Sequence, residues 1–289
     1  MNATTRLVFT AAAMPADQAR AIVELICAAS PAHALEGRRN RVERHFTGAV
    51  VRVFKFAKHE TLRKLHRYKY SHRPLVGQEE QIDHPDSIRI AFNVDELRSD
   101  LLTMLETEAG AALATAASDT LEAVGYTDPW KLPAQDALDF IARRQNLLSN
   151  VPNEIFDLIR NEISAGLNAG ESIRDLSKRI SNAFDEIGKT RAELIAQTET
   201  AAAYSFAGDK AARAAGVPYK KWIHSVISKV PRPDHLAIDG LIVPMDEPYP
   251  VGDPPLMYPH APDGAASDVI NCRCLSIPVT EADYLAQNQ

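Results

Sequence analysis

Proline is distributed very unevenly along this chain of 289 residues, and this distribution constrains the fold more than any other feature. Eleven of the eighteen prolines lie beyond Gly216. Because proline lacks a backbone N–H and blocks the preceding helical turn, such a density excludes long helices and favours short strands joined by loops. The sequence therefore predicts an α+β protein. Its N-terminal, mainly α-helical bundle is followed by a small proline-rich, mixed α/β C-terminal domain with short antiparallel strands.

The region before Gly216 shows helical periodicity together with residues that begin helices. Asn93 and Ser172 each precede an amphipathic pattern and are followed three positions later by an acidic residue, which is typical of helix N-termini. Four helices are predicted after the one that Asn93 opens, at 134–148, 153–170, 172–188 and 192–215, the last opened by Thr190. The chain is divided into an N-terminal helical, basic region (1–91), a helical scaffold (92–189) and a C-terminal domain (190–289).

Composition is that of an ordinary globular protein. Hydrophobic residues make up 45% and charged residues 24% of the chain, so a disordered chain is not expected. No run approaches the roughly 18–20 apolar residues that cross a bilayer, and no membrane association is predicted. The three cysteines, Cys27, Cys272 and Cys274, do not suggest a disulfide framework, and a reducing cytosol suits them best.

Positive charge is concentrated between Arg38 and Arg73. This segment has twelve Lys and Arg residues against two acids, a balance of +10, so the net charge of -6 leaves -16 for the remainder. An apolar stripe at helical spacing predicts a helix with most basic residues off that stripe. A solvated helix face, a contact with nucleic acid and a contact with an acidic partner remain open. The candidate nucleic-acid-binding residues are Arg44, Arg52, Lys55, Arg63, Lys64 and Arg67.

A second candidate site lies in the C-terminal region, around Cys272 and Cys274. The two cysteines are expected to share one face of a strand, and an intervening hairpin is expected to bring His235 near them. Two sulfurs and one imidazole suit tetrahedral zinc, with His224 or His260 as the fourth ligand. In the alternative interpretation, the thiols are small buried hydrophobic groups and the histidine is simply hydrogen-bonded.

The remaining C-terminal candidates have structural interpretations. Arg232 or Arg273 is expected to pair with Asp239 and with backbone carbonyls, because one guanidinium can satisfy several acceptors. Trp222 is expected to anchor the core of the small domain, with its N–H hydrogen-bonded locally. Asp239 and Gly240 predict a turn in which glycine supplies a positive φ. Asn271 belongs to the same motif as the two cysteines.

Five motifs occur in a fixed order in the second half of the chain. They are Arg191-Ala-Glu-Leu-Ile-Ala-Gln-Thr-Glu-Thr200, Lys221-Trp222, Arg232-Pro-Asp-His235, Ile238-Asp-Gly240 and Val269-Ile-Asn-Cys-Arg-Cys274. Together they resemble the phage Mu F-like family, the head morphogenesis or minor capsid proteins of tailed bacteriophages. The resemblance extends over residues 92–279 and is sharpest from Arg191 onward.

The resemblance implies a minor capsid protein without enzymatic activity, present in few copies in the virion. It implies association with the portal, incorporation during procapsid assembly in the host cytoplasm, and an influence on DNA packaging or ejection. The expected partners are the portal protein, major capsid or scaffold proteins and double-stranded DNA. Neither a small-molecule substrate nor a cofactor other than a structural zinc is expected. The family includes fusions to toxin domains, and no such domain is expected here.

Two alternatives to this function remain open. The first is a DNA-binding virion protein that is ejected with the genome and acts through the segment from Arg38 to Arg73. The second is an enzyme, either a zinc-dependent hydrolase or a protein resembling ADP-ribosyltransferases.

Overall fold

A computed structural model describes residues 31–71, 92–123, 125–126, 130–169, 171–225 and 231–287. Five long helices form a bundle: α1 (Pro31–Ser71), α2 (Val94–Ala123), α3 (Ala134–Leu148), α4 (Val151–Asn168) and α5 (Ile173–Ala214). Residues 217–287, called the C-terminal module below, contain β1 (Tyr219–Ile223), α6 (Pro233–Ala237), β2 (Ile242–Pro244), α7 (Ala266–Val269), β3 (Leu275–Val279) and α8 (Glu281–Gln287). The predicted α+β class is confirmed. Cys27 and Arg73 lie outside the described residues.

The bundle has one hydrophobic core, and α5 is the helix around which the others pack. It contacts α1, α2 and α4. The middle of α5 is rich in small buried residues such as Ala202 and Ala207, which lets neighbouring backbones approach closely. Gly208 is one such position, because a Cβ there would lie 2.9 Å from Thr120 Oγ1 of α2. Among the helices within the described ranges, none combines the length and the apolar character that crossing a bilayer requires.

Local capping signals place the starts of α2 and α5 as the sequence predicted. The Asn93 side chain accepts hydrogen bonds from the backbone N–H groups of Asp95 and Glu96, each at 3.1 Å. Ser172 Oγ accepts the backbone N–H of Asp175 at 3.3 Å. These bonds satisfy N–H groups that lack a partner within the helix.

Helix α5 runs without interruption where the sequence predicted two helices, so that prediction is wrong. Thr190, expected to begin the second helix, lies in the helix interior and donates its hydroxyl to the carbonyl of Glu186 at 3.3 Å. Gly188 lies beside α1, and a Cβ there would come 3.7 Å from Phe54 Cβ. That distance is ordinary van der Waals contact, so a small side chain would also fit, and Gly188 does not end its helix. The proposed boundary at residue 190 thus falls inside α5, and the three-part division of the chain stays a prediction.

The C-terminal module begins where a glycine ends α5. Gly216 has φ +70°, and the backbone N–H of Val217 reaches back to the carbonyl of Ala212 at 3.0 Å, a common helix C-terminal arrangement. The sheet that follows has the order β2-β1-β3 with both pairings antiparallel. Ile277 of β3 packs against the bundle core, so the sheet joins the module to the bundle.

The module also has a small core of its own. Its buried members are Trp222, Tyr249, Val251, Leu256, Ala261, Cys272 and Cys274. Several residues singled out from the sequence therefore lie inside this second core, and none of these is on the outer surface.

Candidate functional site

Helix α6 carries His235 to the two cysteines. The histidine is 1% exposed, and its Nδ1 lies 3.6 Å from the sulfur of Cys272 and 3.6 Å from that of Cys274. A ring nitrogen and the two sulfurs all lie within 4.8 Å of one another. The structure thus brings together the three residues that the sequence suggested as metal ligands.

The backbone that presents these side chains differs from the prediction. Cys272 and Cys274 are not on a strand but in the irregular segment before β3, and His235 is on a helix, not beyond a hairpin. Asn271 has φ +59°, and the backbone N–H of Cys274 donates to the Cys272 sulfur at 3.4 Å. This turn directs both sulfurs to one point, whereas residues two apart on a strand lie roughly 6.5–7 Å apart. Both cysteines are free thiols.

His260 is a fourth buried residue beside this cluster. It is 2% exposed and has φ +65°, a conformation that is uncommon for residues other than glycine. Neither of its ring nitrogens makes a hydrogen bond with a described residue. His224, the other histidine considered from the sequence, is only half-buried, and its backbone N–H donates to Asp239.

The two thiols have opposite pKa shifts. The pKa of Cys272 lies well below its ordinary value, because Cys274 donates a hydrogen bond to its sulfur and because His260 and His235 stabilise the thiolate. The pKa of Cys274 is raised, because it is the donor to Cys272 and because it is buried.

Trp222 anchors the module core, as predicted. It is fully buried and meets two rings edge to face, that of His235 at 5.3 Å and that of Tyr249 at 5.0 Å between ring centroids. Its indole N–H makes no hydrogen bond with any residue in the described part of the chain, so the expectation of a local partner is wrong. Packing alone fixes the ring.

Asp239 and Gly240 form the predicted turn. Gly240 has φ +83°, and its N–H donates to the carbonyl of Trp222 at 2.9 Å. The Asp239 carboxylate accepts the backbone N–H of His224 at 2.7 Å. Both bonds connect the turn to β1 and its end.

Only part of the predicted arginine network is present. Arg232 donates to the backbone carbonyl of Ile270 at 2.7 Å, as expected. Arg273 does not pair with Asp239 but reaches across to the bundle, where it forms an ion pair with Glu43 of α1 at 3.0 Å. Because the cysteines on either side of Arg273 face the module core, its own side chain faces the bundle.

The first and last sequence motifs contact each other, which sequence reasoning missed. Gln197 on α5 donates to the Asn271 side chain at 2.7 Å and accepts a bond from Arg273 at 2.7 Å. Thr198 Oγ1 accepts the backbone N–H of Asn271 at 3.3 Å. Both motifs belong to the set of five that the sequence analysis singled out, but nothing in their spacing predicted which residues of one contact which residues of the other.

Arg39 is the second contact that sequence reasoning missed. It is 1% exposed and donates to the carbonyls of Cys274 at 3.2 Å and Arg273 at 3.0 Å. Its position four residues after Leu35 and seven before Phe46, both buried, places it on the apolar face of α1. This position on the apolar face was the only feature of the sequence indicating that Arg39 is buried.

The basic segment forms the predicted helix, but much of its charge is paired within the protein. Among the nucleic-acid candidates, three have acidic neighbours: Arg52 with Glu108, Arg63 with Glu60 and Lys64 with Glu96. Arg67 is exposed. Arg44 and Lys55 are exposed and form no ion pair with a residue that the structure describes. Ion pairs within the protein therefore leave fewer basic side chains free on α1 than the sequence suggested, but some remain.

Lys220 leads to a prediction about pH. Its amine donates to the carbonyl of Met257 at 2.7 Å, and burial lowers its pKa to about 8, while Asp209 and Asp246 act in the opposite direction and Arg213 in the same one. Between about pH 8 and the ordinary lysine value near 10.4, the unfolded chain binds more protons, so the Lys220 contribution becomes more favourable as the pH rises.

The free energy of unfolding of the parent protein, relative to that of Lys220→Met, should therefore rise by about 1–2 kcal/mol between pH 7 and pH 10, after allowance for solvent screening. Urea unfolding of both proteins across this range measures the difference. A difference that is constant with pH would contradict the assignment.

Comparisons with known proteins agree with the placement of these motifs. The family model described as Phage Mu protein F like protein matches residues 157–277. The chain is 26% identical over 162 residues to the uncharacterized protein YqbB of Bacillus subtilis (strain 168), a match that covers 54% of this chain and 53% of that protein. It is 30% identical over 132 residues to NAD(+)--arginine ADP-ribosyltransferase EFV of Enterococcus faecalis (strain ATCC 700802 / V583), covering 45% of this chain and 27% of the transferase. No solved structure matches significantly.

The chain thus spans about half the length of the first relative and about a quarter of the second. The family match extends from within α4 to within β3 and includes His235, His260, Cys272 and Cys274. It supports a protein of bacteriophage head morphogenesis. The resemblance to the phage Mu F-like family that the sequence motifs indicated is thus confirmed over residues 157–277.

Proposed function

We propose that this protein is a minor capsid protein of a tailed bacteriophage, present in few copies and bound to the portal during procapsid assembly. The observation that carries the proposal is the family match over residues 157–277, which includes all of α5 and nearly all of the C-terminal module. The partners are the portal protein and the major capsid or scaffold proteins. The role is structural, and the protein is a component of the virion.

The polar contacts between the module and the bundle suit a part that must keep its shape during assembly. Arg39 and Glu43 of α1 and Gln197 of α5 all contact the segment from Asn271 to Cys274. Charge-assisted bonds with this many fixed partners give orientation as well as stability. The module is thereby presented in a defined position relative to the helices.

Portal association is tested with procapsids assembled in the presence and in the absence of the portal protein. After sedimentation, the chain should be found in the portal-containing particles and be absent from the particles that lack a portal. The major capsid protein, present in both samples, is the internal control. Equal amounts of the chain in both kinds of particle would contradict portal association while leaving a capsid role intact.

Contact with double-stranded DNA is a second candidate function. The observation that favours it is the exposed face of α1, on which Arg44 and Lys55 form no ion pair with a described residue. Exposed cations on one helix face suit contacts with the phosphate backbone. Such contacts fit a capsid protein that lies near the entering or leaving genome.

The salt dependence of binding to non-specific duplex DNA tests this function. The double variant Arg44→Gln/Lys55→Gln should bind more weakly, and the slope of log affinity against log salt should become shallower by about 2. The control variant Lys58→Gln/Lys64→Gln removes the same charge from amines that pair with Asp185 and Glu96, and it should change the slope less. No binding by the parent protein at low salt would exclude the function.

The proposal assigns no transferase activity to this chain. The similarity to the Enterococcus faecalis transferase covers 27% of that protein. Glu106 and Glu108, two glutamates separated by one residue as in ADP-ribosyltransferases, lie on α2 outside the family match and contact Gln145 and His45. These contacts are with the neighbouring helices α3 and α1.

A further inference from the structure

We propose that His235, His260, Cys272 and Cys274 bind one zinc ion that stabilises the C-terminal module. The inference goes beyond head morphogenesis and does not depend on it, because it concerns a property of the isolated chain. It is carried by three independent features: the distances within the cluster, the buried histidine nitrogens that have no partner, and the backbone conformation at His260.

The distances are those of a tetrahedral site. Zinc binds sulfur at about 2.3 Å and histidine nitrogen at about 2.0–2.1 Å. At a tetrahedral angle these lengths separate a sulfur and a nitrogen ligand by about 3.6 Å. Nδ1 of His235 lies 3.6 Å from both sulfurs, so both nitrogen–sulfur separations are those of ligands on one tetrahedral ion.

The sulfurs also have the environment of metal-bound thiolates. The backbone N–H of Cys274 donates to the sulfur of Cys272 at 3.4 Å, and a backbone hydrogen bond from Ser225 acts on the sulfur of Cys274. Backbone donors of this kind stabilise negative charge on sulfur and fix the direction of the ligand, as partners of ligands commonly do in metal sites. The two thiols are free and buried.

We assign His260 as the fourth ligand. It lies outside the group of three residues whose ligand atoms are all within 4.8 Å of one another, so its ring has to move toward the ion when zinc binds. It is 2% exposed, yet neither of its ring nitrogens has a hydrogen-bonding partner among the described residues. Burying an imidazole without a hydrogen-bonding partner is unfavourable, so a ligand for its nitrogen is expected. Its positive φ of 65° is an unfavourable backbone conformation for a histidine, and the fold keeps it at this position.

The environment of His235 fits as well. The carboxylates of Asp234 and Asp268 lie within 4.8 Å of a ring nitrogen of His235, and its Nε2 makes no hydrogen bond with a described residue. Metal-bound histidines usually direct their second ring nitrogen toward a carboxylate, a carbonyl or water. When Nδ1 binds the ion, Nε2 carries the proton and can donate a hydrogen bond to one of these carboxylates.

The proposed site is structural and not catalytic. Catalytic zinc keeps a position open for water, whereas four protein ligands close the coordination sphere. Two thiolates and two neutral imidazoles also neutralise the charge of the ion inside a buried core. A cavity of about 320 Å³ is lined by His260, Tyr258 and Arg143, so open space lies beside the proposed fourth ligand.

The test is the metal content of the purified full-length chain, kept under reducing conditions without chelators. Elemental analysis should find one zinc ion per chain in the parent protein and in Cys27→Ser, the matched control that removes the third cysteine. Cys272→Ser and His260→Asn should each retain less than about one tenth of that zinc. Asparagine is chosen at position 260 because it tolerates a positive φ. Far-UV circular dichroism establishes that the helices of each variant are intact.

Cobalt(II) offers a second readout of the ligands. Cobalt added to the metal-free parent should give the intense visible absorption of a tetrahedral site with thiolate ligands, and the absorption should be lost in Cys272→Ser. A parent protein that contains no zinc and gives no such spectrum would overturn the proposal. Full zinc content in His260→Asn, with an unchanged cobalt spectrum, would overturn His260 as the fourth ligand. Neither result would bear on incorporation into phage heads.

Discussion

Replacing Arg144 by methionine is expected to lower the free energy of unfolding by about 3–5 kcal/mol. Arg144 on α3 donates two hydrogen bonds to Glu199 on α5, at 2.7 and 2.8 Å, and the two side chains are 2% and 3% exposed. Removing the guanidinium leaves a carboxylate buried without its partner, and the cost of that uncompensated charge dominates the effect. Urea unfolding followed by far-UV circular dichroism measures the loss.

Two further variants separate this cause from a simple loss of packing. The double variant Arg144→Met/Glu199→Leu should recover most of the lost stability, since buried ion pairs are often replaced by apolar residues at little cost. Arg160→Met removes the arginine from an exposed pair with Asp157 and should change stability by less than about 1 kcal/mol. A loss below about 1 kcal/mol in Arg144→Met itself would contradict the assignment.

Trp222→Ala is expected to destabilise the C-terminal module by about 3–5 kcal/mol. The indole is fully buried between the rings of His235 and Tyr249, and its removal leaves a cavity at the centre of the module core. Trp222→Phe should cost less, about 1–2 kcal/mol, because the indole N–H makes no hydrogen bond with a described residue and only volume is lost.

Hydrogen exchange at the amides of β1 and β3 measures this effect within the module. Protection there should fall in Trp222→Ala by the amount stated above, and by less in Trp222→Phe. Trp130→Phe, a change of the same type at a half-buried position in the bundle, is the control and should leave β1 and β3 unchanged. Unchanged protection in Trp222→Ala would show that the ring does not support the module core.

The helices could be predicted because their signals are local. Asn93 and Ser172 make the capping bonds that their positions indicated, and the high density of prolines beyond Gly216 coincides with the short elements of the module. Gly188 shows where local signals fail. A glycine that ends a helix and a glycine in a helix interior look alike in a sequence, and only tertiary packing, here of α5 against α1, determines which one Gly188 is.

The convergence of His235 with the two cysteines could be anticipated from the order of the motifs, but the contacts that fix it could not. Arg39 and Cys274 are 235 positions apart, and no spacing rule connects them. The sequence also could not predict whether His224 or His260 lies beside the cysteines. His224 is nearer to His235 along the chain and His260 is nearer to the cysteines, so spacing favours neither, and the backbone turn at His260 directs that residue into the core.

The account as a whole is that this chain is built into a phage head as a minor component. Quantitative mass spectrometry of purified procapsids and mature heads, with the major capsid protein as the internal reference, tests it most directly. The account predicts that the chain is present at a few copies per particle and that this ratio is reproducible between preparations. Its absence from both kinds of particle, while the free protein accumulates in the infected cell, would contradict the account.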